Sequence, residues 1–401
     1  MRILLVLFLS LFVLASDAQS KVLLIGRNLG TKTLPDSNTI RTFGFAKGLN
    51  DNPSVPGPTL HVREGDSLTI DFWNISQGAG HTIHLHGLDV DQANDGVPHL
   101  SYTVEHMEHG YYKFKAPHPG TYLYHCHVIS SIHVQAGMYG MLIVHTKSDS
   151  LKTWEGGYRF DKEFALLTSE IDTFWHQDTV LNQGHDHMIH TAVIPKFNPQ
   201  FFLVNGHASR NEREVDSIHF KAGEKVFLRL ANIGNLANKY HFPSFLNAQI
   251  VSSDGRALPS AEMTNELWVF PGERYGVLLD ATLQGKDSIQ LGFHNMNTLK
   301  EEGRASLLTH VQGSLGIRTA EDVGIAVFPN PGNGHIFYSI PASLSIQGVQ
   351  VYSNKGELVF ETNAITGSLN LGLFPKGLYH IQFIDEDGHS YSMTYLKIDQ
   401  Q

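Results

Sequence analysis

Short runs of alternating apolar and polar residues dominate the chain from residue 19 onward. The stretch PGPTLHVREGDSLTIDFWNIS, from Pro56 to Ser76, is representative: apolar runs are separated by turns rich in Gly, Pro, Asn and Asp. Alternation with a period of two indicates strands that bury one face. Because long helical periodicity is scarce, the pattern predicts an all-β protein.

The same pattern occurs twice. HVREGDSLTIDFWNIS, which begins at His61, aligns residue for residue with HFKAGEKVFLRLANIG, which begins at His219. Each stretch predicts a strand, a glycine turn and a second strand that ends near Asn-Ile. This internal repeat indicates two copies of one β-sandwich domain.

These patterns divide the chain into five regions. They are an N-terminal segment (1–18), a first sandwich (19–147), a second sandwich (148–313), a linker (314–325) and a small third β unit (326–401).

The N-terminal segment is typical of a secretory signal peptide. It carries Arg2, an apolar run from Ile3 to Leu14, and the small residues Ser16 and Ala18 near a plausible cleavage point. The alternative is a retained N-terminal anchor, although the apolar run is short for a membrane span. No other segment has about 18 consecutive apolar residues, so we expect no span in the mature protein.

Composition narrows the function. The formal net charge is −10 and no Lys/Arg tract occurs, so nucleic-acid binding is not expected. The chain has 24 histidines but one cysteine, Cys126. Exported proteins normally use cysteines in pairs, so a lone one is a buried bystander, a reactive thiol or a metal ligand. Histidines cluster between residues 81 and 145 and between 176 and 190, which favours the metal ligand.

Two short segments, GHTIHLHG and GTYLYHCHVISSIHVQAGM, carry the candidate ligands. In a strand, side chains two residues apart share a face. If the segments form neighbouring strands, one face carries an all-imidazole group: His84, His86, His125 and His127. The other face carries a mixed group: His81 and Cys126, joined by His133 and Met138 from the following loop.

The mixed group has a specific chemical meaning. Two imidazoles, one thiolate and a weak axial thioether form the ligand set of a blue-copper site, whereas imidazoles alone suit copper or zinc. A lone buried cysteine is more often a small hydrophobe. Eight potential ligands at this spacing nevertheless favour two metal sites. The peptide units on either side of Cys126 connect these two sites covalently.

These residues also carry a family resemblance. HTIHLHG resembles the His-x-x-His-x-His-Gly motif of multicopper oxidases, and HCH…H…GM resembles their cysteine-containing copper motif. DGVP (Asp95 to Pro98) and PGERYGVLLDA (Pro271 to Ala281) are similar to further family segments, so the resemblance covers about residues 35–310. It implies two cupredoxin-like Greek-key β-sandwich domains of a laccase-like, two-domain multicopper oxidase, the first of them binding copper.

The resemblance also implies roles for individual residues. The type 1 copper would be held by His81, Cys126, His133 and Met138, the type 2 copper by His84, and the type 3 pair by His86, His125 and His127. A phenolic or metal-ion donor would be oxidised one electron at a time at the type 1 copper. Electrons would pass through Cys126, His125 and His127 to the cluster, where O2 is reduced to water.

Two features depart from the family pattern. Cys126 and His133 are seven residues apart, where the family motif usually has five. A complete cluster uses four His-x-His pairs, and the first sandwich supplies two. The second sandwich offers His241 and His294 singly.

Its only His-x-His pair is His185 and His187, with His190 nearby. Two-domain family members complete the cluster between subunits, usually as trimers. The resemblance therefore implies a homotrimer, with the loop from His176 to His190 as a candidate source of ligands; the alternative is that these are surface histidines. A further cluster could guide Cu(I) towards the type 1 site or could be ordinary surface residues: His99, His106, Met107 and His109.

Two other functions remain open. A copper nitrite reductase shares the two-domain trimer and needs only a three-histidine type 2 site. The paired histidines supply more ligands than that site requires, and no acidic residue lies between His81 and His84, where that family keeps its catalytic aspartate. The third possibility is a non-catalytic copper-binding protein.

The C-terminal region resembles the sorting domain of the type IX secretion system. PNPGNG, VYSNKGELV and LFPKGLYHIQF match its three usual blocks over about residues 326–401. The resemblance implies a secreted protein, either attached to the outer-membrane surface or extracellular. The alternative is an ordinary β-sandwich appendage.

Overall fold

The computed structural model describes residues 19–78, 80–183, 192–208, 217–313, 318–342, 344–386 and 390–399. The segment interpreted as a signal peptide, residues 1–18, lies outside the described residues. The chain divides into two compact units, with the boundary in the sequence after Gly313. Strands dominate both units, which confirms the all-β prediction.

The first unit begins with a sandwich of two four-stranded sheets, ordered β2-β1-β4-β6 and β3-β8-β7-β5. The strands are β1 (Gln19–Thr33), β2 (Thr39–Ala46), β3 (Leu60–Arg63), β4 (Ser67–Asn74), β5 (His84–His86), β6 (His109–Lys115), β7 (Gly120–His125) and β8 (Tyr139–His145). A 3-10 turn (Gln92–Asn94) precedes β6, and helix α1 (Ser130–Ala136) connects β7 to β8. Every second residue of β6 is buried, as its alternating sequence predicts.

The second sandwich of this unit has sheets ordered β11-β10-β9-β13-β18-β15-β16 and β12-β20-β19-β14-β17. Its strands are β9 (Lys162–Ile171), β10 (Phe201–Val204), β11 (His207–Ala208), β12 (Ile218–Lys221), β13 (Val226–Asn232), β14 (Ala237–His241), β15 (Gln249–Ser253), β16 (Arg256–Met263), β17 (Glu266–Val269), β18 (Arg274–Leu279), β19 (Gly285–His294) and β20 (Glu301–Gln312). Between β9 and β10 lie a 3-10 turn (Thr173–His176) and helix α2 (Asp178–Leu181), and a second 3-10 turn (Ser244–Leu246) precedes β15.

The two stretches that align in sequence occupy equivalent places. β3 pairs in parallel with β8, and its counterpart β12 pairs in parallel with β20. β4 pairs in parallel with β1, and its counterpart β13 pairs in parallel with β9. The sequence repeat therefore corresponds to a repeated strand arrangement.

The second unit is a smaller β sandwich with sheets ordered β21-β28-β27-β24-β25 and β22-β23-β26. Its strands are β21 (Arg318–Thr319), β22 (Ala326–Phe328), β23 (His335–Ser339), β24 (Ile346–Ser353), β25 (Leu358–Thr362), β26 (Ser368–Asn370), β27 (Gly377–Asp385) and β28 (Ser390–Lys397), with a 3-10 turn at Glu321–Val323. Within the described residues, no helix of either unit is both long enough and apolar enough to span a bilayer.

The linker expected over residues 314–325 needs correction. β21 pairs in parallel with β28, and Ala320 and Ile325 are buried in the core of the second unit. Residues 318–325 therefore belong to this unit. The sequence interpretation missed them because the segment is short and polar around two buried apolar side chains.

A buried carboxyl lies at the end of β9. Glu170 is almost fully enclosed, and its Oε2 accepts a hydrogen bond from the Asn235 backbone N–H at 2.8 Å. A Cβ at Gly234 would lie 2.3 Å from the same oxygen, so a side chain there would have to displace the carboxyl group. Burial raises the pKa of Glu170 to about 7.

We expect Glu170→Gln to remove a pH dependence of stability. The folded-state pKa is raised above the unfolded value, so the stabilisation is complete below pH 4.5 and is lost as pH rises through 7. The loss amounts to about 3 kcal/mol of unfolding free energy. Denaturant unfolding at pH 5 and pH 8 measures it; the exposed Glu262→Gln serves as control. An equal pH dependence in Glu170→Gln and the wild type would contradict the assignment.

Candidate metal centre

The pairing of β5 with β7 brings the two ligand segments together. β5 is the edge strand of its sheet, and His84 lies directly opposite His125 in the antiparallel register. The ring nitrogens of His84, His86 and His125 all lie within 4.8 Å of one another. His127 stands beside this group, with its ring centre 5.2 Å from that of His84. The structure thus brings the four predicted imidazoles together on one side of β7.

The mixed group forms on the opposite side. The Sγ atom of Cys126 lies 3.6 Å from His81 Nδ1 and 3.3 Å from His133 Nδ1. The side chains of these residues and of Met138 are 0% exposed. The Cys126 backbone N–H donates to the Met138 carbonyl at 3.0 Å, so Met138 is a direct neighbour of Cys126 across the backbone pairing.

Helix α1 accounts for the unusual Cys-to-His spacing. Ile129 adopts a left-handed conformation with φ of 42°, and the chain then turns into α1, which ends at Gly137 with φ of 118°. His133 lies inside this helix, and its carbonyl accepts from the Met138 N–H at 3.0 Å. The additional residues are therefore absorbed in a helical turn that returns the imidazole to Cys126.

Burial sets the protonation of both groups. It lowers the pKa of His125 to about 3 and that of His86 to about 4, the latter with a further contribution from the nearby Arg274 charge. These imidazoles are neutral at neutral pH, as metal ligands must be. Burial raises the pKa of the Cys126 thiol to about 11, so metal binding there has to displace a proton.

Comparison with known proteins identifies the family. Residues 41–149 and 168–314 match two family models, each described as multicopper oxidase. The chain belongs to the multicopper oxidase family. Residues 326–395 match a third model, the secretion system C-terminal sorting domain. Both resemblances inferred from sequence motifs are thereby confirmed.

Individual relatives cover parts of the chain. A copper-containing nitrite reductase from Neisseria meningitidis serogroup B is 29% identical over 214 residues, which is 53% of this chain and 49% of the relative. An L-ascorbate oxidase from Brassica rapa subsp. pekinensis is 28% identical over 255 residues, covering 57% and 42% respectively. The chain thus spans about half or less of the curated relatives it matches. The crystal structure of the Blue Copper Oxidase from Nitrosomonas europaea has a TM-score of 0.57 at 26% identity, covering 75% of this chain and 88% of that one.

The donor sets fit the copper of multicopper oxidases. A thiol with two imidazole nitrogens within 3.6 Å is a soft, buried set that suits copper, and a group of neutral imidazoles suits copper as well. Among the described residues, these are the two groups of three or more His, Cys, Asp or Glu side chains close enough to hold a metal ion.

Asp95 is a neighbour of this multicopper oxidase site that the sequence motifs left without a role. His84 Nδ1 lies 2.7 Å from the Asp95 carbonyl oxygen and 3.5 Å from its carboxylate. Gly96 follows with φ of +81°, and a Cβ there would lie 1.9 Å from the Ile83 carbonyl oxygen. The DGVP segment therefore packs tightly on β5 and fixes the His84 ring, so that Nε2 is the nitrogen left for a metal. In the sequence, the Asp-Gly pair of the DGVP segment is the feature that could have indicated this contact.

The other candidate ligands lie elsewhere or outside the described residues. His241 is exposed, 3.6 Å from Glu266, and His294 packs on Trp268 and hydrogen-bonds the Leu299 carbonyl. His176 is buried, with Nδ1 2.7 Å from the Arg41 carbonyl. The remaining members of that loop lie outside the described residues: His185, His187 and His190.

The cluster from His99 to His109 lies on the surface. His106 Nδ1 hydrogen-bonds the Ser76 carbonyl at 2.8 Å, and His109 Nδ1 lies 2.6 Å from the Asp71 carboxylate. His99 and Met107 are exposed. The local partners of two of its histidines favour the surface interpretation over a path for Cu(I).

Proposed function

We propose that the protein is an exported oxidase that couples one-electron oxidation of a donor to reduction of O2 to water. One observation carries the proposal: β7 and the residue after it present a thiol group on one face and an imidazole group on the other. When bound, copper supplies the one-electron steps and the reduction of O2. The chain supplies the ligands, their order and the exclusion of water.

The mixed group would hold the type 1 copper. Its proposed ligands are His81, Cys126, His133 and Met138, all fully buried among apolar side chains. Phe43 packs against both imidazoles, with ring centres 6.1 Å from His81 and 5.4 Å from His133. A dry, rigid shell of this kind holds ligand geometry constant and tunes the potential of a bound metal.

Cys126, His125 and His127 would form the connection between the two groups. His125 Nδ1 lies 3.0 Å from the Cys126 carbonyl oxygen, so a short contact supplements the peptide bonds. Thr82 Oγ1 accepts from the His127 N–H at 2.9 Å and holds the residue after Cys126 in place. The connection is thus fixed at both sides of the cysteine.

His84, His86, His125 and His127 would be one half of the copper cluster. His84, His86 and His127 are half-buried, so part of this group faces the outside of the chain. We propose a homotrimer in which a neighbouring copy supplies the missing ligands, with the loop from His176 to His190 as their source.

Copper content and oxygen uptake test the function. An oxidase is expected to bind about four copper ions per chain and to consume O2 with a phenolic or metal-ion donor. Blue protein without O2 uptake, or copper that exchanges reversibly without turnover of any donor, would refute the oxidase proposal. The second outcome indicates a copper-binding protein.

A nitrite reductase is the second candidate. The compact group of His84, His86 and His125 has the number of imidazoles that a single type 2 copper requires, and three of the relatives bear that name. Against it, His127 adjoins the group, and no acidic residue lies between His81 and His84, where that family keeps its catalytic aspartate. Two copper ions per chain and reduction of nitrite to nitric oxide would establish this alternative.

The donor does not reach the thiol group directly, because its ligands are buried. A cavity of about 410 Å³ lies beside helix α1, which carries His133. Ser131 of α1, Trp175 and Met296 are among its lining residues. We propose that a small organic or metal-ion donor binds in this cavity.

We expect Met296→Ala to raise the donor KM several-fold with little change in O2 reduction by the pre-reduced protein. Met296 is 45% exposed, so its loss removes donor contacts without opening the core. Steady-state kinetics measure the effect, and Met263→Ala on the exposed face of β16 is the matched control. Equal KM values in both variants would place the donor elsewhere.

The sorting domain supports export, and we propose that the mature protein is released outside the cell or attached to the outer-membrane surface. Fractionation of cells into periplasm, outer membrane and medium distinguishes these locations. Retention in the cytoplasm would contradict export.

A further inference from the structure

A buried arginine of the second sandwich contacts the strand that carries His86. Arg274, at the start of β18, is 5% exposed. A Cβ built on Gly87, the residue after His86, would lie 2.1 Å from Arg274 Nη2. Gly87 also has φ of +79°, so two independent constraints require glycine there. The guanidinium group therefore lies directly against the end of β5.

Arg274 connects three segments. Its Nη1 donates to the Gly272 carbonyl at 2.7 Å and pairs with Asp254 Oδ1 at 2.8 Å. Its Nε lies 3.3 Å from the carbonyl of Thr121 on β7, the strand that ends at His125. The planar fork thus joins both ligand-bearing strands of the first sandwich to the second sandwich.

Gly272 carries this connection to the His86 ring. A Cβ at Gly272 would lie 3.2 Å from His86 Cε1 and 3.3 Å from His86 Nε2. The His86 imidazole also hydrogen-bonds the Gly272 backbone. On the other side of the ring, His86 Nδ1 faces His125 Nε2 at 3.4 Å. The two ring nitrogens therefore have separate surroundings: Nε2 meets the second sandwich, and Nδ1 meets the imidazole group.

We propose that Arg274 is a positioning residue for the imidazole group: it holds the Gly272 carbonyl against His86 Nε2 and thereby directs Nδ1 towards the metal. A histidine that donates one ring N–H to a fixed carbonyl keeps one tautomer and one ring orientation, which leaves the other nitrogen as ligand. Without the arginine, the Gly272 carbonyl loses its anchor and the ring gains the freedom to flip. The second sandwich thus orients a ligand that lies in the first.

This inference rests on the proposed function only in assuming that the imidazole group binds copper. The orientation itself exists in the metal-free protein, where ¹⁵N NMR of labelled histidine reports which ring nitrogen carries the proton. The His86 signal is assigned by its absence in His86→Gln. In the wild type we expect the Nε2–H tautomer at His86.

The decisive variant is Arg274→Met, compared with Arg256→Met. Arg256 is a half-exposed arginine close by, which pairs with Asp89 and donates to the Gly255 carbonyl instead. In Arg274→Met we expect a mixture of His86 tautomers and a loss of affinity for cluster copper of about 10–100-fold, the range found for outer partners of metal ligands. The blue type 1 absorption serves as an internal control and should remain. Arg274→Lys keeps the positive charge but lacks the planar guanidinium group. Neither the single His86 tautomer nor the copper affinity should therefore reach the wild-type level.

Two outcomes would overturn the proposal: a single Nε2–H tautomer in Arg274→Met, or equal copper loss in Arg256→Met. If Arg274→Met fails to fold, Arg274→Lys decides instead, because it keeps a positive charge but lacks the planar guanidinium group. A single Nε2–H tautomer at His86 in Arg274→Lys would then overturn the proposal. If the oxidase proposal fails because no cluster copper binds, the tautomer measurement still tests the role of Arg274.

Discussion

Cys126→Ser is expected to abolish the blue absorption and to lower donor oxidation by on the order of a thousandfold or more. The blue colour depends on a copper–thiolate bond, and a serine hydroxyl is a hard, protonated group that does not replace it. The substitution changes one atom in a fully buried site. Copper in the imidazole group should remain, because its ligands lie on the other side of β7.

Visible absorption, copper analysis and donor oxidation measure the outcome together. Ser130→Ala is the matched control, since Ser130 only donates a 3.4 Å hydrogen bond to the Cys126 carbonyl and lies outside both ligand groups. We expect this control to stay blue. A blue Cys126→Ser protein would show that the thiol is a buried bystander and would remove the type 1 assignment.

His86→Ala is expected to separate the two halves of the reaction. The variant should stay blue, because the mixed group is intact. Donor should still bleach the blue colour, but O2 should restore it at least about a hundredfold more slowly, since an O2-reducing cluster that lacks one ligand loses transition-state stabilisation of several kcal/mol. Stopped-flow absorption after anaerobic reduction measures reoxidation.

The matched control is His109→Ala. His109 is an exposed imidazole that contacts the Asp71 carboxylate on the outer sheet, away from both ligand groups. It should reoxidise at the wild-type rate. Normal reoxidation in His86→Ala would mean that O2 reduction does not use this ligand, and the cluster assignment would then be wrong.

The two side-chain groups could be predicted from the sequence because successive side chains of a strand point to opposite faces. His84 and His86 lie two residues apart, as do His125 and His127, and Cys126 lies between them. A period of two places odd and even positions on opposite faces without reference to any other part of the fold. The same local rule accounts for the all-β architecture and for the repeated strand arrangement.

Local rules failed where contacts come from distant parts of the chain. The linker boundary was wrong because Ala320 and Ile325 are buried by strands that follow them in sequence. The seven-residue spacing from Cys126 to His133 needed α1, a short helix that the alternating strand pattern does not predict. A helix of that length is stabilised by tertiary packing rather than by its own propensity.

The residues that contact the proposed ligands were the hardest to predict from the sequence. Asp95 reaches His84 across a turn, and Arg274 reaches Gly87 from the second sandwich. By itself the sequence determined the ligand types, the two faces, the family motifs and the sorting domain, because each follows from residue identity and short-range spacing. Only the tertiary structure decided which groups contact the ring nitrogens of His84 and His86, because those contacts join positions that lie far apart along the chain.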